Sequence, residues 1–210
     1  MLDIWKAGAP KLDILSPDIY SFFQERCPEY HRSWNPLFIP AMSQDVRTAS
    51  DVFYALGQYD TIGFSPFRLE SRPSFEDEIN SSYKVLSKIA PVILENQGKG
   101  TLGSVLLDKD HPTQDLRVGD YTLNLGIARH WSFTTPDYPA GIFIEIGPDE
   151  YLVAGRGLTI GFTPNTPGAQ TVGFATVEDG GFKDGKWIAG RRLNGDEILS
   201  GKALRLRGDR

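Results

Sequence analysis

A single cysteine, Cys27, rules out an internal disulfide, so the fold does not rest on an oxidising compartment. Histidine is scarce as well: His31, His111 and His130 are scattered, with no Cys, His or carboxylate beside them at ligand spacing, and a metal site is unsupported. No cofactor is implied. Basic residues are outnumbered 27 to 22, and the net charge of −5 leaves no concentrated cationic surface for phosphates, which makes nucleic acid a poor partner. No stretch approaches the roughly 20 apolar residues of a membrane helix, so a membrane is not expected as a partner. The opening MLDIWKAGAPKLDIL has neither the basic start nor the apolar run of a signal peptide. It begins abruptly, as though a segment preceded it, and a secreted or periplasmic parent stays open. Nothing in the sequence fixes the oligomeric state.

What is present divides into two rhythms. With 40% hydrophobic and 23% charged residues the chain has the composition of one large or two small globular domains. Over residues 1–97, short β-branched or aromatic runs alternate with helical spacing, the pattern of β/α units on a parallel sheet. Strands are predicted at Lys11–Tyr20, Pro36–Ala41 and Thr61–Phe67. Helices are predicted at Ser21–Tyr30, at Val46–Tyr59 with Gly57 near its stop, and at Phe75–Gln97. The last carries the stripe Ile79, Tyr83, Leu86, Ile89, Ile93 and Leu94, with Pro91 expected to kink or break it.

From residue 98 to 210 the period becomes two. Tyr121, Leu123, Leu125 and Ile127 alternate with polar or small neighbours, Ile142, Ile144 and Ile146 do the same, and turn residues separate the runs. This predicts an antiparallel accessory β-sandwich or jelly roll. Three parallel strands cannot close by themselves, because a (β/α)8 barrel takes eight strands and typically about 250 residues. The first half therefore reads either as a piece cut from such a TIM barrel or as an open three-stranded α/β layer, which would leave a sheet face and edges unprotected.

Three blocks, NPLFIPAMSQ, FYALGQYDTIGFSPF and VEDGGFKDGKWIAGRRLNGDE, resemble the C-terminal half of glycoside hydrolase family 35. These are β-galactosidase-like enzymes, here of the branch carrying an uncharacterised C-terminal β domain. The resemblance runs over essentially the whole chain. It implies a barrel whose sixth, seventh and eighth strands are the three above, a general acid/base Glu from strand four outside this chain, and a nucleophilic Glu ending strand seven after a PLFIP-like run. That last position is Ala41. A retaining glycosidase uses two carboxyl groups about 5 Å apart, and a methyl group can neither attack nor transfer a proton. Three readings remain open: a pseudoenzyme, a deliberately inactivated variant, or a family pattern offset by some residues. The implied ligand is a β-galactoside, and the chain by itself is expected not to cleave it.

Asp18 and Tyr20 end the first strand, where they could hydrogen-bond sugar hydroxyls; helix capping and packing under a loop are their alternatives. Phe67 closes the third strand and could stack on a pyranose, whereas Phe64 reads as core. Asp45 is read as a helix cap, with service as a substitute nucleophile as its alternative. Gly98, Gly100 and Gly103 spell GxGxxG after a helix and before strands, the reverse of the nucleotide-binding context, and read as a domain junction. Asn80-Ser81-Ser82 falls within a predicted helix, and Cys27 reads as packed. Core packing is the favoured role of Trp131 and Trp187, with stacking on carbohydrate as the alternative. A non-catalytic carbohydrate-binding or structural module is thus the second function class.

Overall fold

The computed structural model describes residues 2–68, 73–168 and 171–207, without the side chains of residues 73–76. Three short strands, β1 (Asp18–Ile19), β2 (Phe38–Met42) and β3 (Gly63–Pro66), pair in parallel in that order. Asp18 lies opposite Ala41, Ile19 opposite Met42, and Ile39 opposite Phe64. After the short helix α1 (Leu2–Gly8), which the spacing did not predict, α2 (Phe23–Tyr30), α3 (Thr48–Gln58) and α4 (Pro73–Asn96) follow the three strands in turn. The architecture is mixed α/β with antiparallel sheets beyond, and the described residues form no closed barrel.

The two faces of the parallel sheet differ. Ile19, Ile39 and Met42 are buried together with Leu37, Phe23 and Cys27 of the α2 region and with Ala55 and Tyr59 at the end of α3. On the other face Asp18 and Ser65 are exposed, while Phe38, Pro40 and Ala41 are half-buried. Parallel sheets are ordinarily covered on both sides.

Several local expectations need correction. The run Lys11–Tyr20 forms a strand only at Asp18–Ile19. Upstream, the buried Asn35 side chain takes the place of a ladder partner: its Oδ1 accepts from Leu15 N at 2.7 Å, and its Nδ2 donates to Leu15 O at 3.0 Å and Tyr30 O at 2.7 Å. Pro17, which has no N–H to give, stands just before the strand. Pro91 does not break α4, which continues through it. Leu94 leaves the apolar stripe and is exposed, whereas Ile79, Leu86, Ile89 and Ile93 are buried. Gly57 does stand near the stop of α3, just before its last residue Gln58, and an added Cβ there would come 2.5 Å from the Ser104 Cβ. Its role is a close approach between helix and sheet.

The second half forms two facing antiparallel sheets. One has the order β12-β9-β6-β5, from β5 (Thr113–Val118), β6 (Tyr121–Ile127), β9 (Leu158–Pro164) and β12 (Ala203–Leu206). The other has the order β4-β7-β8, from β4 (Leu102–Leu106), β7 (Ala140–Gly147) and β8 (Glu150–Arg156). Val105, Phe143, Leu123, Leu125, Leu158 and Ile160 fill the space between them. A hairpin, β10 (Glu178–Lys183) and β11 (Lys186–Arg192), forms its own two-stranded sheet, with Phe182 packed against the helical core.

Strand alternation divides β7 between two cores. Phe143 faces the sandwich interior, while Ile142 and Ile144 face Ala49, Val52 and Phe53 of α3 and Ile79, Leu86, Ile89 and Ile93 of α4. Helix α3 is consequently buried on two sides, against the sandwich and against the parallel sheet. Polar ties join the layers: Ser82 Oγ donates to Ala49 O at 2.6 Å, Ser104 Oγ donates to Tyr54 O at 3.1 Å, and Arg156 pairs with Glu78 at 3.0 Å. The change from helix to strand falls near residue 98, but the packing runs straight across it.

Candidate functional site

In a parallel β/α layer, the strand ends leading into the helices gather loops of different origin at one edge. Here they are laced together: Ser43 N donates to Ile19 O at 3.1 Å, Phe67 N donates to Met42 O at 3.0 Å, and Gln44 Nε2 donates to Phe67 O. Around this mouth stand three exposed aromatics, Tyr20 (54%), Phe22 (68%) and Phe67 (49%). The Tyr20 and Phe67 rings meet edge to face, 6.5 Å between centroids. Phe22 sits at φ 56°, ψ 45°, left-handed backbone that a bulky side chain rarely adopts, and strain of this kind gathers at functional sites.

Asp18 and Ala41 are register partners on neighbouring strands at the mouth. Because Ile19 and Met42, one residue further along each strand, point into the helix-covered core, Asp18 and Ala41 face the open side. The Asp18 carboxylate makes no hydrogen bond to any described residue and is free to accept from a ligand. Ala41 offers a methyl group, and no acid–base or nucleophilic step can pass through it.

Beside the mouth lies a small cleft of about 60 Å³ lined by Tyr20, Phe22, Ser43, Asp45, Arg47 and Asp51. It has room for a few water molecules and not for a sugar ring. Asp45 is engaged in the entry to α3: its carboxylate accepts from Ser43 Oγ at 3.0 Å and from Arg47 N at 2.9 Å. Asp51 is more unusual. Its side chain is only 3% exposed and is ion-paired with Arg47 Nε at 2.9 Å. Burial pushes its carboxyl up to about 7, against the opposing pull of the Arg47 charge and hydrogen bond. Arg47 in turn donates to Gln24 Oε1 at 3.0 Å and lies over the rings of Phe23 and Tyr138. Burial, with the Asp51 charge adding to it, drives the Cys27 thiol up to about 12, so this cysteine is a packed and unreactive group.

The structure thus brings Asp18, Tyr20, Ala41 and Phe67 to one edge. Phe64 is half-buried against both helical cores. Sequence reasoning missed Phe22, Arg47 and Asp51. The i,i+4 spacing of Arg47 and Asp51 was visible, and a carboxylate between Ala49 and Val52 in an apolar helix is the signal that marks it. Trp131 and Trp187 correct an expectation of core packing: Trp187 is partly exposed on the hairpin, and Trp131 stands out in solvent on a loop. Among the described residues, no group of three His, Cys, Asp or Glu is placed to hold a metal ion, and no helix is long and apolar enough to cross a membrane.

Comparison with known families matches residues 79–205 to one described as a domain of unknown function (DUF5597). No curated protein matches the chain.

Proposed function

Since the chain belongs to the DUF5597 family, whose description assigns no activity, we propose from its geometry that it is the C-terminal portion of a retaining glycoside hydrolase acting on β-galactosides, unable to cleave a glycoside by itself. One observation carries the reading. Three consecutive parallel strands keep one face under their own helices and leave the other open, with Asp18, Tyr20, Ala41 and Phe67 collected where the strands run out. An inward face without helices is what each strand of a (β/α)8 barrel presents to the barrel interior. On this reading β1, β2 and β3 are the sixth, seventh and eighth strands, and the sandwich is an accessory domain.

The chemistry follows from the residues. In a retaining mechanism one carboxyl group protonates the leaving oxygen and the other attacks the anomeric carbon, giving a glycosyl-enzyme that water then hydrolyses. The resemblance to glycoside hydrolase family 35 puts the acid/base on a strand outside this chain and the nucleophile at Ala41. With a methyl group there, the covalent step has no attacking atom. What this chain supplies is binding: Asp18 accepts from sugar hydroxyls, and Tyr20 and Phe67 present aromatic surface to the apolar side of a pyranose ring.

The test is Ala41→Glu in a version of the protein that includes a complete barrel, assayed on a chromogenic β-galactoside. Hydrolysis should rise from background by two or more orders of magnitude. A folded variant that stays at background would remove Ala41 from the nucleophile position.

A further inference from the structure

The loop between β6 and β7 carries the most exposed large apolar side chain among the described residues, Trp131 at 92%. An indole is among the largest apolar surfaces a chain can bury, and leaving one in water forgoes that stabilisation. Yet the loop holding it is braced. The His130 ring stacks on Phe133, 5.6 Å between centroids and 13° between planes, and lies 5.3 Å from Trp131. Ser132 N donates to His130 Nδ1 at 3.2 Å, and Thr135 Oγ1 donates to Ala128 O. Pro136 packs so closely on Gly157 that a Cβ there would meet it at 2.6 Å.

The same loop is fastened to the other half of the molecule. Ser50 Oγ donates to Tyr138 O, and the Tyr138 ring lies 5.6 Å from the Arg47 guanidinium, which lines the cleft with Tyr20 and Phe22. A loop of the sandwich is thereby bolted to the start of α3, at the end of the parallel sheet where the mouth opens. Its exposed neighbours, Arg129, Ser132, Thr134 and Asp137, are polar. A flat ring standing among polar groups suits a sugar, with its one apolar face and rim of hydroxyls; a protein partner calls for a broader apolar patch.

We propose that Trp131, held by His130 and Phe133, is a sugar-stacking platform on the loop that Tyr138 ties to the start of α3, and that its ligand is an oligosaccharide. That the sugar is a β-galactoside rests on the function proposed above; the platform itself rests on the loop. The test titrates the 210-residue chain with β-1,4-linked galactotetraose and, separately, with cellotetraose, following tryptophan fluorescence and heat. Galactotetraose should bind saturably, Trp131→Ala should weaken it about tenfold or more, and Trp187→Ala should leave it unchanged. An exposed residue can be removed without unfolding, which circular dichroism checks. Saturable galactotetraose binding that survives Trp131→Ala would overturn the platform and leave the β-galactoside reading standing. Trp131-dependent binding of cellotetraose in place of galactotetraose would keep the platform and overturn the galactoside. Silence with both sugars would overturn the proposal.

Discussion

The parallel sheet β1-β2-β3 and the sandwich sheet β4-β7-β8 pack against the same helix, α3, yet one is covered on a single face and the other on both. In β7 the result is a nearly continuous buried run, with Phe143 facing one core and Ile142 and Ile144 the other. In β2 the open-face residues Phe38, Pro40 and Ala41 are half-buried. The difference teaches where stability resides: the doubly covered sheet is scaffold, and the singly covered one leaves a face accessible.

The widest gap should separate two phenylalanines. Phe143→Ala empties a fully buried site and should cost about 3–5 kcal/mol, whereas Phe38→Ala on the open face should cost about 1 kcal/mol. Denaturant unfolding of both variants measures this, and equal losses would mean that the open face is as much a core as the sandwich. The next effect lies at the seam and depends on pH. Asp51 has its carboxyl raised from 3.8 to about 7 in the folded chain, so the folded state holds the proton more tightly than the unfolded one. The stability this confers is fully present below about pH 4 and is lost as pH rises through about 7, a change of a few kcal/mol. Asp51→Asn should flatten that decline in thermal midpoint between pH 4 and 7. A slope unchanged in the variant would assign the titration elsewhere. Smallest is Gly57→Ala: in an isolated helix alanine gains about 1 kcal/mol, but here its Cβ meets Ser104, and the net result should be a loss of about 1–2 kcal/mol. A higher melting temperature would show that α3 and β4 separate at little cost.

Much of this contrast could be read in the residues, because periodicity reports which side of an element is apolar. Ile79, Leu86, Ile89 and Ile93 mark the buried side of α4, and Leu123 and Leu125 mark the sandwich face of β6. What periodicity does not report is whether the other side is also covered. The spacing over Val46–Tyr59 thus marks a helix but not the burial of both its sides, and Gly57, correctly placed near the end, also marks a close approach to β4. The strand expected at Lys11–Tyr20 shrank because a distant side chain, Asn35, answers its backbone. At the site, Asp18, Tyr20, Ala41 and Phe67 stood at predicted strand ends, where loops converge. Phe22 owes its interest to backbone strain, which no spacing records, whereas the i,i+4 spacing of Arg47 and Asp51 was legible and only the burial of Asp51 was not.

The double attachment of α3 also fixes its length. An α-helix turns about 100° per residue, so inserting or deleting one residue in Thr48–Gln58 would swing Ala55 and Tyr59 away from the parallel sheet while Ala49, Val52 and Phe53 still held the sandwich. Related chains that vary in size are therefore expected to carry their insertions in the β10–β11 hairpin or the β6–β7 loop and to keep this helix at a constant residue count.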